Sequence, residues 1–453
     1  MGSAGVALAV GAGLVAPAAR AAARPVAPLL PAPLLPADVA HHWVRAAYRA
    51  VLLENLTPPA AARAYSRTAL AMYEAVVAGM PGHRSLAGQL SDLRAVGAGA
   101  TTGVVTAPGR ARLDWHAALS AAAHDVLLAV LPLRAPATRP HLDAVHAEVV
   151  ASRRAAGVRP TDLAASLEHG SAVAARLADW CATDGHAEAL ARPYTPPTGQ
   201  PWLWESTPPN FRPAIEPWCG TVRPLVLQRG EVGAEPPVPF STEPGSAFHD
   251  QALAVLEQSR RNGDEERAIA RFWTDNPGSF TPPLGTPTGL PSGHWMLVAE
   301  QVARGLDLAL DEALEAYVRL GVALNDAFLA CWTVKYETNL LRPVTYLNRY
   351  VDPAWTTVVN TPQFPEHTSG HSVSSAAAAV VLTDLLGEVA FTDDTHAERG
   401  YPARSFTSFD AAAREAAVSR LYGGIHYPRG IEAGLAQGEA VGRLVLQRLR
   451  TRR

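Results

Sequence analysis

From about residue 39 to residue 191, apolar side chains return every three to four positions, with small or polar residues between them. That period places one apolar stripe on the face of each helix. It predicts helices over 42–53, 59–78, 113–131 and 162–182. The same period returns further on, over 246–275, 293–341, 371–386, 409–423 and 431–450. Period-two alternation is scarce, and no tandem repeat of a solenoid length appears.

Between the two helical halves the pattern changes. Residues 192–245 contain YTPPTGQPW, STPPNFRP and AEPPVPF, with tryptophans at 202, 204 and 218. Proline removes a backbone donor and blocks regular helix, while tryptophan area seeks burial. This segment is therefore an ordered connector lying across the two halves. The pattern predicts an all-α fold of two helical bundles, 39–191 and 246–453, joined by the Pro/Trp-rich connector at 192–245. Residues 24–38 are Pro/Ala-rich and form a lead-in.

Composition narrows the function. The chain has 453 residues with 39 basic against 42 acidic side chains, and no run of like charge, so nucleic acid is not an expected partner. Three cysteines cannot form a disulfide framework and lack zinc spacing. Cys331 lies in an apolar helical stretch and reads as a buried hydrophobe. Cys181 and Cys219 could pair, which spacing alone does not decide. Residues 2–23 are small and apolar and contain Ala-Arg-Ala and Ala-Ala-Ala, resembling a signal peptide without its basic start. The expectation is a secreted or extracytoplasmic protein, or a cytoplasmic one if that segment is no signal. No later apolar run reaches the roughly 18 residues of a membrane span.

Three short stretches carry chemistry. The first is TVKYETNLLRP, which holds the only lysine of the chain, Lys335, seven residues before Arg342. Read as one helix ended by Pro343, it puts an ammonium and a guanidinium on one face. Arginine offers a planar fork and lysine a compact head with three rotatable donors. A chain that otherwise uses arginine has a local reason to keep a lysine here. The second is FPEHTSGH, residues 364–371, followed by a small-residue helix. Ser369 and Gly370 at its start would form an anion site of free N–H groups, with the His371 imidazole beside it. His367 and His371, with a glycine between them, are a poor metal pair. The third is SRLYGGIH, residues 419–426, which adds the Arg420 fork and the His426 imidazole. Each stretch alone also reads as an ordinary helix end. Together they suit a tetrahedral oxyanion such as phosphate or vanadate. One imidazole would attack or coordinate it and the other would shuttle a proton.

In this order and spacing the three motifs resemble the superfamily that joins vanadium-dependent haloperoxidases to type-2 phosphatidic acid phosphatases and bacterial acid phosphatases. A looser likeness to the haloperoxidases extends back to Arg271-Phe-Trp-Thr-Asp275 and Thr281-Pro-Pro283 and implies their helical two-bundle fold. The literal PSGH, at 291–294, precedes Lys335 and is out of order for the family; a weak anion site there stays open.

The resemblance implies that His426 bonds vanadium. It implies that Lys335, Arg342, Ser369, Gly370 and Arg420 hold the vanadate oxygens and that His371 is the acid/base group. Lys335 would polarise a bound peroxide. Trp332 and Phe364 would lie beside the halide, where chloride-oxidising members carry the same residue types. The implied reaction is halide oxidation by hydrogen peroxide through a histidine-bound peroxovanadate, with or without an organic acceptor.

The runner-up is a soluble acid phosphatase with a phosphohistidine intermediate, since phosphate competes for the same pocket. A non-catalytic oxyanion binder is the third reading. Two departures stand out. Thr368 replaces the proline before Ser-Gly-His. Gly430 stands where the family has an aspartate, four residues after the last histidine, so the His426 imidazole needs another partner: a backbone carbonyl, Glu432 or Asp275. The resemblance also allows Asp275 to pair with Arg420. Halide preference, organic substrate and oligomeric state have no signal in the sequence.

Overall fold

The structure, a computed structural model, describes residues 31–94, 112–209, 211–275 and 289–453. The signal-like stretch before residue 31 and Thr281-Pro-Pro283 lie outside these residues. Among the described residues the fold is all-α, 61% helix with two short strands. The first half contains α1 (Asp38–Glu54), α2 (Pro58–Val76), α3 (Trp115–Val130), α4 (Thr138–Ala155), α5 (Pro160–Cys181) and α6 (His186–Ala191). Regular structure then nearly stops until α7 (Ala247–Arg261) and α8 (Asp264–Phe272). There follow α9 (Leu290–Gly305), α10 (Leu310–Thr338), α11 (Pro343–Tyr350), α12 (Gly370–Leu386), α13 (Phe409–Tyr422) and α14 (Pro428–Arg448). A two-stranded antiparallel hairpin, β1 (Phe391–Asp393) and β2 (Arg404–Phe406), links α12 to α13.

Two long predicted helices are each broken in two. The 246–275 helix stops at Asn262-Gly263, where Gly263 opens α8 and three acidic residues fill its first turn, favourable against the helix dipole. The 293–341 helix breaks where Asp307 takes a left-handed φ of 51°. Its C-terminal end also stops early: Asn339 adopts φ 46° and caps α10 at Thr338. Pro343 then opens α11 instead of ending α10, because a proline at the first helical position gives up only an N–H that has no partner there. Lys335 and Arg342 are thus not two turns of one helix. They meet across a bend.

Helix α10 is buried along most of its length and packs against α2 on one side and α12 and α14 on the other. One hydrophobic core therefore runs from residues of α1 to residues of α14. Helix α12 is apolar or small on every face and buried nearly all round. Helix α14 approaches it along a glycine stripe, Gly434, Gly438 and Gly442. A Cβ added at Gly438 would lie 2.1 Å from the Val373 carbonyl oxygen, and one at Gly434 would lie 2.9 Å from that of Ser369. Only hydrogen fits there, and the close approach seats the start of α14 against the start of α12.

The connector is tied to α10 by backbone hydrogen bonds. It pairs with the bend after α10: the Trp204 N–H donates to Asn339 O at 2.7 Å and the Leu341 N–H to Trp202 O at 2.8 Å. Further on, Asp326 of α10 accepts three successive connector N–H groups, from Leu225, Val226 and Leu227, at 2.7–3.0 Å. All three cysteines are buried free thiols, so Cys181 and Cys219 do not pair. No helix of the described residues is long and apolar enough to cross a membrane.

Candidate active site

The three motifs converge where the N-terminus of α12, the end of α13, the turn into α14 and the bend after α10 meet. Ser369 is the N-cap of α12: its hydroxyl oxygen accepts the Ser372 N–H at 3.3 Å, leaving its own proton to donate. Gly370 and His371 open the helix, and first-turn N–H groups have no partner in the helix ladder. A Cβ on Gly370 would meet protein atoms only at 3.7 Å and beyond, so the bare backbone there leaves space in front of it. A narrow cavity opens at this point, lined by Trp332, Phe364, Gly370, His371, His426 and Asp275, among others.

Arg342 reaches the site from the N-cap of α11. Its Nε donates to Phe364 O at 2.8 Å, its Nη1 to Ile425 O at 2.9 Å and to His426 Nε2 at 3.1 Å, and its Nη2 is buried with no partner. Arg420, at the end of α13, donates from Nε to Ser419 Oγ at 2.9 Å and from Nη2 to Ala270 O at 3.2 Å; its Nη1 is likewise orphaned. A guanidinium donor aimed nowhere in a dry interior is costly unless a ligand takes it. Burial lowers both arginines, Arg342 to about 10 and Arg420 to about 9, so both stay charged at neutral pH.

His426 follows the Gly423-Gly424 turn, where Gly424 has φ 76°. The guanidinium donating to its Nε2 requires a lone pair there, which places the ring proton on Nδ1. Nδ1 in turn donates to Glu366 Oε1 at 2.7 Å, and the Tyr427 N–H donates to the same oxygen at 3.0 Å. Glu366 is therefore the partner of the histidine, not Glu432, Asp275 or a backbone carbonyl. It also explains Gly430, because a Cβ at 430 would lie 2.4 Å from Glu366 Oε1. The carboxylate comes from the loop before α12, and the glycine clears its place. Burial raises the Glu366 carboxyl to about 7. Burial, and after it Arg342 and Lys335, hold the His426 imidazole well below its ordinary value, so it is neutral.

Lys335 is completely buried, and its ammonium donates to the carbonyls of Pro365 at 3.0 Å, Glu366 at 2.9 Å and Thr368. Three carbonyls converging on one tetrahedral head are a task that a planar guanidinium cannot perform. This is the structural reason for the single lysine: it shapes the loop that carries Glu366 and leads into Ser369. Burial lowers its pKa to about 7, and a bound oxyanion would raise it again. Thr368, in place of the family's proline, donates its hydroxyl to Gln437 Oε1 at 2.7 Å and so ties the loop to α14. Trp332 and Phe364 face each other with ring centroids 4.8 Å apart, and the Phe364 ring lies 5.0 Å from Lys335 Nζ.

His371 keeps Nε2 unpartnered, and the Trp273 backbone beside its ring favours the protonated form against burial. Burial, and then the Arg420 charge, hold it well below its ordinary value, so it is a neutral base. Asp275 does not form an ion pair with Arg420. It pairs with His294 Nδ1 at 2.8 Å, with His396 Nε2 at 3.4 Å and Arg399 Nη1 at 3.6 Å near its other oxygen. The literal PSGH lies at the start of α9, and its His294 faces two carboxylates, which excludes an anion there.

Two sets of residues escaped the sequence reading. Glu366 sits inside the quoted FPEH motif, and the missing carboxylate at 430 was the signal to look for it. His294, Asp393 and His396 carry no joint signal, since about a hundred residues separate the first from the other two.

The helical-bundle signature has independent support. The family model for the second helical-bundle domain of the vanadium chloroperoxidases matches residues 315–452. A solved bacterial vanadium-dependent iodoperoxidase superposes with a TM-score of 0.83 at 33% identity, covering 92% of this chain and 97% of its own. The chain belongs to the vanadium-dependent haloperoxidase family. Holo and apo structures of a bacterial vanadium-dependent chloroperoxidase share the haloperoxidase fold at 16% and 14% identity, each with a TM-score of 0.61. They cover 87% of this chain and 93% and 96% of their own. No curated protein matches the chain. The donor set fits the group this family takes. Two orphaned guanidinium donors, a helix N-terminus with a bare glycine and an Nε2 lone pair are what a vanadate needs.

Proposed function

We propose that this haloperoxidase oxidises halide with hydrogen peroxide at a vanadate held by Arg342, Arg420, Ser369, Gly370 and His426, with Lys335 contributing charge while its three donors hold the loop carbonyls. The observation that carries the reading is the His426 ring, with Nδ1 fixed on Glu366 and an Nε2 lone pair that accepts from Arg342 Nη1, in a site where Arg342 Nη2 and Arg420 Nη1 are orphaned. Vanadate, when bound, supplies an electrophilic centre that activates peroxide for two-electron oxidation of halide. His426 would bind it through Nε2, the bond from Arg342 Nη1 giving way, and Glu366 holds the tautomer that makes this possible. Arg342 Nη2, Arg420 Nη1 and the first-turn N–H groups of α12 neutralise the oxygens. Lys335 adds charge and holds the loop in register. His371 Nε2 takes the proton that peroxide gives up and returns it to the departing water. Trp332 and Phe364 present an apolar wall to the halide and limit the water that reaches it. Extracytoplasmic placement of the mature chain is part of this proposal and rests on the signal-like residues 2–23 alone.

The test is oxidation of iodide, bromide and chloride by peroxide with phosphate-free apoprotein, with vanadate added, and with Lys335→Ala plus vanadate. Iodide comes first because the relative at 33% identity is an iodoperoxidase. Vanadate-dependent oxidation that falls in the variant supports the reading. Absence of oxidation, with vanadate-inhibited hydrolysis of a phosphate ester, would move the protein to the phosphatases.

A further inference from the structure

Behind His371 lies a second buried polar centre that the vanadate chemistry does not use. His294 of α9 stands between two carboxylates, with Nδ1 2.8 Å from Asp275 Oδ2 and Nε2 2.8 Å from Asp393 Oδ2. All three side chains are at most 1% exposed. A carboxylate only accepts, so both ring nitrogens carry protons and the ring is an imidazolium. Burial opposes that charge, but Asp393 and Asp275 outweigh it and raise His294 above its ordinary value. The same ring packs against Trp273, with centroids 4.5 Å apart and planes 31° apart. The other neighbours are His396, whose ring centroid lies 4.1 Å away, and Arg399 beyond Asp275. Burial, and then the His294 charge, lower His396 to about 4, so it is neutral.

This centre touches the active site through one short segment. Asp275 lines the narrow cavity beside His371 and His426, the Ala270 carbonyl holds Arg420 at 3.2 Å, and the Trp273 backbone lies beside the His371 ring. The segment follows the end of α8 at Phe272, so its position is set by what grips its side chains. His294 grips two of the three, Trp273 by its face and Asp275 by Nδ1, while Glu415 accepts the Trp273 indole N–H at 3.0 Å and Thr274 donates to Ala270 O at 2.6 Å.

We propose that His294, clamped by Asp275 and Asp393, is a positioning residue for His371 and acts through residues 273–275. The inference rests on the reading of His371 as the acid/base group. The competing use of the cluster is a metal site, since donor atoms of Asp275, His294 and His396 lie within 4.8 Å of one another. Arg399 Nη1, 3.6 Å from Asp275 Oδ1, and the carboxylate on each His294 nitrogen speak against it.

The experiment is a double-mutant cycle of His294→Asn with His371→Ala in the vanadate-loaded enzyme. His294→Asn alone is expected to lower kcat roughly tenfold, the usual scale for a residue that orients a site group, with the halide KM unchanged. In the His371→Ala background it should change the residual rate by less than about twofold, because the group it positions is gone. Nitrogen-15 spectra of the histidine-labelled apoprotein supply a readout without cofactor. In the native protein His371 should show one dominant neutral tautomer; in His294→Asn it should show a mixture. Asp393→Asn retains the imidazole and an acceptor and serves as the second variant, with the same pattern at smaller amplitude. Equal loss in both backgrounds would mean a merely structural role and overturns the inference. An unchanged rate, or one divalent metal ion per chain in the purified protein, does so as well. A fully active His371→Ala instead overturns the acid/base reading beneath it.

Discussion

The contact between Glu366 and Gly430 makes a quantitative prediction. Glu366 bonds His426 Nδ1 at 2.7 Å from a fully buried position, and Gly430 is bare because a Cβ there would lie 2.4 Å from Glu366 Oε1. Removing the carboxylate with Glu366→Ala leaves the ring free to turn and to change tautomer. Loss of such an orienting partner costs about 10–100-fold in affinity, or about 1.4–2.7 kcal/mol of vanadate binding. Gly430→Asp alone places two carboxylates in overlapping space and should destabilise the fold by about 1–3 kcal/mol, as overpacking does. The double variant, Glu366→Ala with Gly430→Asp, supplies the carboxylate from the third residue of α14, near the positive end of the helix dipole. It should bind vanadate more tightly than Glu366→Ala alone, with a favourable coupling of about 1 kcal/mol or more. The assay is recovery of halide oxidation as apoprotein is titrated with vanadate, with thermal unfolding followed in parallel. Unchanged vanadate affinity in Glu366→Ala, or a double variant whose two losses simply add, would refute the reasoning.

Other expectations follow from the same geometry. Lys335→Arg should behave nearly as badly as Lys335→Ala in halide oxidation, since a planar guanidinium cannot serve the three carbonyls of Pro365, Glu366 and Thr368; near-native activity of the arginine variant would show that charge alone matters. Gly370→Ala should keep or raise the melting temperature, by up to about 1 kcal/mol in stability, because its Cβ meets nothing closer than 3.7 Å. The same methyl stands where an oxyanion would approach the backbone, so phosphate and vanadate affinity measured by calorimetry should fall.

Glu315 anchors the C-terminal residues to α10 through His83, Arg452 and Thr451. Burial pushes its carboxyl up, but hydrogen bonds from these partners outweigh that and hold it down at about 2, from 4.5. A depressed carboxyl stabilises the fold above its unfolded value and loses that contribution as pH falls toward the folded one. The stability gap between native protein and Glu315→Gln, up to about 3 kcal/mol at pH 7, should therefore close between about pH 4.5 and 2 in urea titrations.

What the chain alone determined is local and periodic. Helices follow from the apolar period, so α1, α2, α3, α5, α12, α13 and α14 begin and end within a few residues of where the pattern puts them. The three motifs were readable because each is a short run whose side chains are held by one turn or one helix end, as with Ser369 capping α12. The single lysine was conspicuous by composition. The partners of these residues were not readable, because they depend on contacts across distant segments. The breaks at Asn262-Gly263 and Asp307 rest on single backbone positions that an apolar period passes over. Lys335 reaches three carbonyls because α10 stops at Asn339 and the loop before α12 folds onto it. Glu366 reaches His426 where Gly430 leaves it room and a glycine stripe lets α14 press against α12. His294 meets Asp275 and Asp393 across 19 and 99 residues, where neither period nor spacing has any reach. Close packing decides such pairs, and it exists only once the helices have docked.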